Sequence, residues 1–240
     1  MFILASLGYF IYLFWPYDIS KVTKYPLNKE STHLTISVHG VKDSPANWST
    51  PLKQIMLENS LLKSQHINLD WRPFSDNPLI CSVVAKNIGE AIAKRIANET
   101  NVTSIHAIGH SCGSFMIYSL CNEIKKTKPE IKVHTTYLDP VSIYAGIFWD
   151  YGVNNFGSCA DFSDAYIDTG DTVPGSNVAL KNAFTFDVTQ VRIKQNSQES
   201  PHNWPPQYYI QAYKKGHVPH LQNYDEVKAK YKQGLLVSVE

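Results

Sequence analysis

The run Gly109-His110-Ser111-Cys112-Gly113 follows directly on the apolar stretch 102–108, and it constrains the fold more than any other part of the chain. The stretch before it is strand-like and residues 113–120 after it are helix-compatible. The five residues therefore mark a sharp strand-turn-helix junction with a serine at its apex. Such a turn crowds the positions two before and two after the serine. Glycine fits both, having no Cβ. The alternative is a Gly-Ser turn without chemistry, and the residues elsewhere in the chain decide between the two.

The formal net charge is +1 and no run of like charges is present. Nothing in that balance favours nucleic acid as a partner. Hydrophobic residues make up 43% of 240 positions, enough for one sizeable core. The four cysteines, Cys81, Cys112, Cys121 and Cys159, form no C-x-x-C pair, so no zinc site is expected. Their even number permits disulfides, with three possible pairings. Cys112 reads as a small buried residue rather than a reactive thiol.

Residues 1–15 carry no charged side chain and are rich in Phe, Ile, Leu and Tyr. This apolar segment, 1–17, reads as a signal or membrane anchor. A connector over 18–32 and a single domain over 33–240 follow. Membrane association through residues 1–16 and a membrane-anchored or exported location, periplasmic or secreted, are the expectation. A first strand or a docking segment packed on the domain is the other reading. Lys21 and Lys24 leave the orientation open.

Along the chain, strands are expected at 34–38, 66–71, 102–108, 133–138 and 165–168, and helices over 48–62, 81–97 and 113–126. Residues 183–193 are rich in β-formers, with Phe184, Phe186 and Val188 on one face. A polar loop over 194–201 leads to His202, and 208–215 reads as a helix closed by Gly216. Strands alternating with helices predict an α/β fold, a mostly parallel central sheet with helices on both faces. Ligands in such sheets bind at the carboxyl ends of strands. Ser111, His39-Gly40-Val41 and Asp139 all fall just past predicted strand ends, and His202 lies in a loop beyond another.

A serine hydroxyl needs a base within hydrogen-bond reach, and the base needs an orienting carboxylate. The chain offers Ser, acid and His in the order that this junction requires. Asp139, ahead of Pro140, is the leading acid, with Asp171 as runner-up and Asp168 a further candidate. His202 is the leading base, with His217 and His220 as runners-up. Those two also have H-x-x-H spacing but no evident third ligand, so no metal is expected and no cofactor either. His110 reads as a packing residue and His39 as a support for the loop that follows it. Backbone N–H groups of Cys112 and Val41 are the expected oxyanion donors.

In their order, Val38-His39-Gly40-Val41 with Asn47-Trp48, Leu69-Asp70-Trp71-Arg72 with Asn87 and Gly89, Ile108-Gly109-His110-Ser111-Cys112-Gly113, and Tyr137-Leu138-Asp139-Pro140 resemble the pancreatic-lipase-like branch of the α/β-hydrolases. The resemblance spans 34–141. It implies the α/β-hydrolase fold, Ser111 as nucleophile, Asp139 as triad acid, and Val41 and Cys112 as oxyanion donors. The expected activity is hydrolysis of carboxylic esters, small-molecule or lipid, through an acyl-enzyme. Two other functions stay open: an inactive scaffold serving as a binding module, and an acyltransferase using the same three residues.

Overall fold

The computed structural model describes residues 2–58, 63–219 and 224–240. The chain begins with α1 (Phe2–Leu13) and the short α2 (Ser20–Thr23). It then alternates through β1 (His33–Val38), α3 (Ser49–Glu58), β2 (Ser64–Leu69), α4 (Cys81–Glu99), β3 (Ser104–His110), α5 (Gly113–Thr127) and β4 (Lys132–Leu138). The last part holds α6 (Tyr151–Asn155), β5 (Phe162–Ile167), β6 (Phe184–Asp187), α7 (Thr189–Lys194), α8 (Trp204–Lys214), α9 (Tyr224–Lys230) and β7 (Leu236–Ser238). The strands form one sheet in the order β2-β1-β3-β4-β5-β6-β7, every neighbouring pair parallel.

Helices cover both faces, so the central strands are buried on both sides. On one face α4 and α5 bring Val84, Ile88, Ile92, Ile96, Phe115 and Leu120 onto the sheet. The stripe Val84-Ile88-Ile92-Ile96 is the four-residue repeat visible in the sequence. On the other face Trp48, Leu52 and Met56 meet Trp204 and Tyr209 of α8. Each large side chain buried in this way contributes roughly 1.5–3 kcal/mol. After β1 the chain moves outward to β2, then returns past β1 to place β3 on its other side. The strand order therefore reverses between β1 and β3, where a parallel sheet opens a crevice at its carboxyl edge. Gly40 follows β1 there, and Ser111 follows β3.

Several expectations change. The β-rich run 183–193 yields only the four-residue β6. Asp187 Oδ1 accepts from Thr189 N at 3.0 Å and Thr189 Oγ1 at 2.5 Å, and the backbone turns into α7. The last long helix starts at Trp204, ahead of the expected 208, because Pro205 and Pro206 occupy the first helical positions, where no N–H is needed. The helix expected over 48–62 is seen as α3, and 59–62 lie outside the described residues. Neither α9 nor β7 was expected.

Among the described residues no helix is long and apolar enough to cross a membrane. The twelve residues of α1 span about 18 Å, against about 30 Å of hydrocarbon. Leu13 is fully buried, Tyr9 packs on the core, and Asn77 Nδ2 donates to Tyr12 Oη at 2.6 Å. Leu7, Phe10, Ile11, Phe14 and Trp15 remain exposed. The connector after α1 also packs on the domain. Val22 is buried, and the Arg95 guanidinium of α4 donates to the carbonyls of Thr23 and Tyr25.

All four cysteines are bridged: Cys81 to Cys112 and Cys121 to Cys159. The first ties the start of α4 to the residue after Ser111. The second ties α5 to the segment before β5. A bridge closing 38 residues stabilises by about 4 kcal/mol through the entropy of the unfolded chain. The Cys121→Ser/Cys159→Ser double variant should therefore melt about 10 °C lower in calorimetry. An unchanged melting temperature would show that this bridge does not limit the unfolded chain.

Candidate active site

β3 passes into α5 through two residues, Ser111 and Cys112, and Ser111 takes a left-handed φ of 54°. That conformation is costly for a residue with a side chain, and the packing around it enforces it. Its N–H donates to Leu138 O at 3.0 Å, fastening the turn to the end of β4. A Cβ on Gly109 would lie 2.9 Å from Gly113 O, and one on Gly113 would lie 2.7 Å from Val38 O. The backbones touch at both places, which is why the motif has glycine on either side. Cys112 is the N-cap of the fifteen-residue α5, so the N-terminal end of that helix's dipole lies at the serine.

His202 reaches this serine from the loop between α7 and α8. His202 Nε2 is 2.9 Å from Ser111 Oγ. The loop is anchored from both sides. His110 Nε2 donates to His202 O at 3.0 Å, and buried Trp204 donates its indole N–H to Val188 O at 3.1 Å.

The other ring nitrogen, Nδ1, lies 2.7 Å from Asp139 Oδ2 and 2.9 Å from Asp171 Oδ2. The leading acid and its runner-up thus face the same ring atom. Asp139 is fully buried at a left-handed φ of 46°, and its Oδ1 accepts from Asp168 N at 3.0 Å. Asp171 Oδ2 also accepts from Ser176 Oγ at 2.5 Å, and its Oδ1 accepts from Thr172 N at 2.8 Å. Asp168 pairs instead with Arg192, whose Nε is 2.5 Å from Asp168 Oδ2. That ion pair, with Asp168 fully buried, braces the loop whose N–H holds Asp139. Sequence reasoning missed Ser176 and Arg192. Neither lies in a motif, and both reach the site only through the fold.

Burial pushes the Asp139 carboxyl well above its usual range. Burial acts on Asp171 as well, but hydrogen bonds involving His202, Asp139 and Ser176 hold its carboxyl well below that range. Two carboxyls on one NH group do not both ionise freely, so their shifts run in opposite directions. Burial alone would lower the pKa of His202. The hydrogen bonds and charges of Asp139 and Asp171 push it up to about 9.

The loop after β1 approaches Ser111 closely. Cys112 follows Ser111, and Val41 follows Gly40, where a Cβ would sit 3.2 Å from Ser111 Oγ. His39 is fully buried, with Nδ1 3.0 Å from Gly40 O, and it accepts the Trp71 indole N–H on its own carbonyl at 2.8 Å. It shapes the loop, as its position suggested. His217 is exposed beyond the far end of α8, about 16 Å of helix away from His202. His220 lies outside the described residues. His202, Asp139 and Asp171 also offer three ligand atoms within 4.8 Å of one another, a spacing compatible with a cation. In this structure those atoms hold the imidazole.

No family model matches the chain, and no curated protein matches it in sequence. Solved structures do match in shape. A protein of Lactobacillus plantarum WCFS1 described as a "putative cell surface hydrolase" superposes with a TM-score of 0.52 at 10% identity, covering 85% of this chain and 97% of that one. A lipase-esterase related protein of Clostridium acetobutylicum gives 0.47 at 12% identity, over 82% and 96%. A Pyrobaculum calidifontis esterase gives 0.47 at 10% identity, over 81% and 80%. With its seven-stranded parallel sheet, the first of these likenesses identifies the architecture as the α/β-hydrolase fold.

The imidazole can be tested directly. In NMR titration the His202 ring should titrate near pH 9. Asp171→Asn removes an anion that stabilises the imidazolium, so it should move the titration to lower pH. A ring titrating at about 6.5 would show that the carboxyls do not act on it.

Proposed function

We propose that the chain is a serine ester hydrolase working through an acyl-enzyme on Ser111, with lipid or other acyl esters as substrates. The observation that carries this reading is the unbroken path from Ser111 Oγ through His202 to Asp139 and Asp171, at 2.9, 2.7 and 2.9 Å. The order along the chain is serine, acid, histidine, as this fold requires.

In the reaction so read, His202 Nε2 takes the Ser111 proton as Oγ attacks the ester carbonyl. The oxyanion that forms meets the N–H groups of Cys112 and Val41, each such donor being worth about 3–4 kcal/mol in the transition state. The carboxyl pair below Nδ1 stabilises the imidazolium. Collapse breaks the bond to the alcohol oxygen, which takes the proton from Nε2 and leaves. Water then attacks the acyl-enzyme with the same histidine as base, which releases the acid and restores Ser111. The acyltransferase alternative differs only in the acceptor of the second step.

The resemblance to pancreatic-lipase-like enzymes in residues 34–141 favours acyl esters. The surface favours a membrane as their source. Leu7, Phe10, Ile11, Phe14 and Trp15 are exposed on and just after α1, and Ile147, Phe148 and Trp149 are exposed nearby. Tyr9 links the two groups, because a Cβ on Gly146 would lie 2.8 Å from its hydroxyl. Aromatic residues suit the boundary between headgroups and acyl chains. Two disulfides fit an oxidising compartment, so we read the domain as exported or facing outward on a membrane.

A fluorophosphonate should form a single adduct on Ser111, mapped by peptide mass, and Ser111→Ala and His202→Ala should form none. Hydrolysis of a short ester should follow the same pattern, with kcat/KM rising toward pH 9 because His202 must be neutral to accept the proton. Labelling that persists in Ser111→Ala would overturn the assignment. Replacing Phe10, Phe14 and Trp149 together by Ser should cut partitioning onto lipid vesicles severalfold. Unchanged partitioning would remove the membrane part of the reading.

A further inference from the structure

Acyl transfer needs one carboxylate beneath the histidine, and this fold brings two to the same atom. Asp139 Oδ2 and Asp171 Oδ2 lie 2.7 and 2.9 Å from His202 Nδ1. A ring nitrogen has one proton to give, and an ionised carboxylate only accepts. The three atoms lie within 4.8 Å of one another. Two carboxylates that close repel each other, and the repulsion is relieved when one of them keeps a proton. The opposite shifts of the two carboxyls agree with one shared proton.

Each carboxyl is held by donors that do not belong to the other. Asp139, just past β4, accepts Asp168 N on Oδ1 at 3.0 Å. Asp171, in the loop after β5, accepts Thr172 N on Oδ1 at 2.8 Å and Ser176 Oγ on Oδ2 at 2.5 Å. Removing one carboxyl therefore leaves the other in place. The charged and titratable groups around the three are few. Asp168 and Arg192 neutralise each other as an ion pair. The His110 ring, whose pKa burial lowers, lies 5.0 Å from the His202 ring. The charge under the imidazole is thus set by the two aspartates. With one proton between them they carry a single negative charge. If either becomes an amide, the remaining carboxyl has no like charge beside it and still faces Nδ1. It then ionises, and the single negative charge stays. Only the loss of both takes it away.

We propose that Asp139 and Asp171 are interchangeable positioning acids of His202, sharing one proton, so that either alone sustains the imidazolium. Its kinetic side rests on the ester-hydrolase reading; the shared proton does not. The resemblance in residues 34–141 assigns the acid to Asp139 alone. Here the loop after β5 carries a second acid that does the same work.

A triad with a single acid loses about 10⁴-fold in kcat when that acid becomes Asn. Here Asp139→Asn and Asp171→Asn should each cost about tenfold on a short ester, the loss of one hydrogen bond to a charged group. The double variant should lose about 10⁴-fold, far more than the product of the two. Two further arms need no turnover. In NMR titration each single variant should move the His202 ring only part of the way down from about 9, and the double should take it to about 6.5 or below. Infrared difference spectra at neutral pH should show the carbonyl band of one protonated carboxyl in the unsubstituted protein and lose it in both single variants. The proposal is overturned if either single variant falls as far as the double in turnover and in the His202 titration, which would make that residue the sole acid. Absence of the infrared band would overturn it as well. If the double variant does not fold, a 10⁴-fold loss in either single variant still decides against it. If the unsubstituted protein cleaves no ester, the hydrolase reading falls instead, and the imidazole titrations and the infrared band still decide whether the two carboxyls share a proton.

Discussion

The backbone contact at Ser111 is the constraint from which the rest of the site follows. A strand enters a helix with two residues between them, and the serine is held at positive φ by contacts that leave no room for a Cβ at Gly109 or Gly113. Such a conformation costs about 1–3 kcal/mol, and the surrounding sheet sustains it through the hydrogen bond to Leu138 O. Once the turn is fixed, the hydroxyl stands above the carboxyl edge of the sheet. The N-terminus of α5 points at the same spot, and the loops after β1, β4 and β5 converge there. Asp139 and Asp171 come from two of those loops.

What could be read from the sequence was whatever depends on local chemistry. The elbow, the strand ahead of it, the stripe on α4 and the aspartate before Pro140 all show themselves within a few residues. His202 needed the added premise that the base follows the acid in a parallel fold. The relation between Asp139 and Asp171 was not legible, because the two stood as alternatives for one role. In the structure both meet one nitrogen from different loops. Residues 183–193 misled because Val191 and Ile193 carry β propensity, yet the chain turns into α7 after Asp187, whose carboxylate accepts the Thr189 N–H.

The C-terminal elements were invisible for a different reason. No residue of α9 is fully buried, and only Tyr224 and Val227 of its seven residues pack on the core, too few for a stripe to stand out. It is held instead by Tyr224, whose ring stacks on Phe162 with centroids 4.0 Å apart and whose hydroxyl meets His134 Nδ1 at 2.6 Å. His134 Nε2 lies 2.9 Å from buried Asp164, and its ring stacks on His106 at 3.9 Å. A polar network inside an otherwise apolar layer fixes where the tail docks through partners far apart in sequence, a signal that periodicity does not carry.

The bridge between Cys81 and Cys112 binds the histories of two positions together. Cys112 is fully buried and adjoins Ser111. If Cys81 alone were lost in a lineage, the chain would keep a free thiol one residue from Ser111. It would also lose the covalent strut that ties the start of α5 to the start of α4. If Cys112 alone were lost, an unpaired thiol would remain at the head of α4. Each single step is worse than either end state, so these two positions are expected to drift as a pair or not at all.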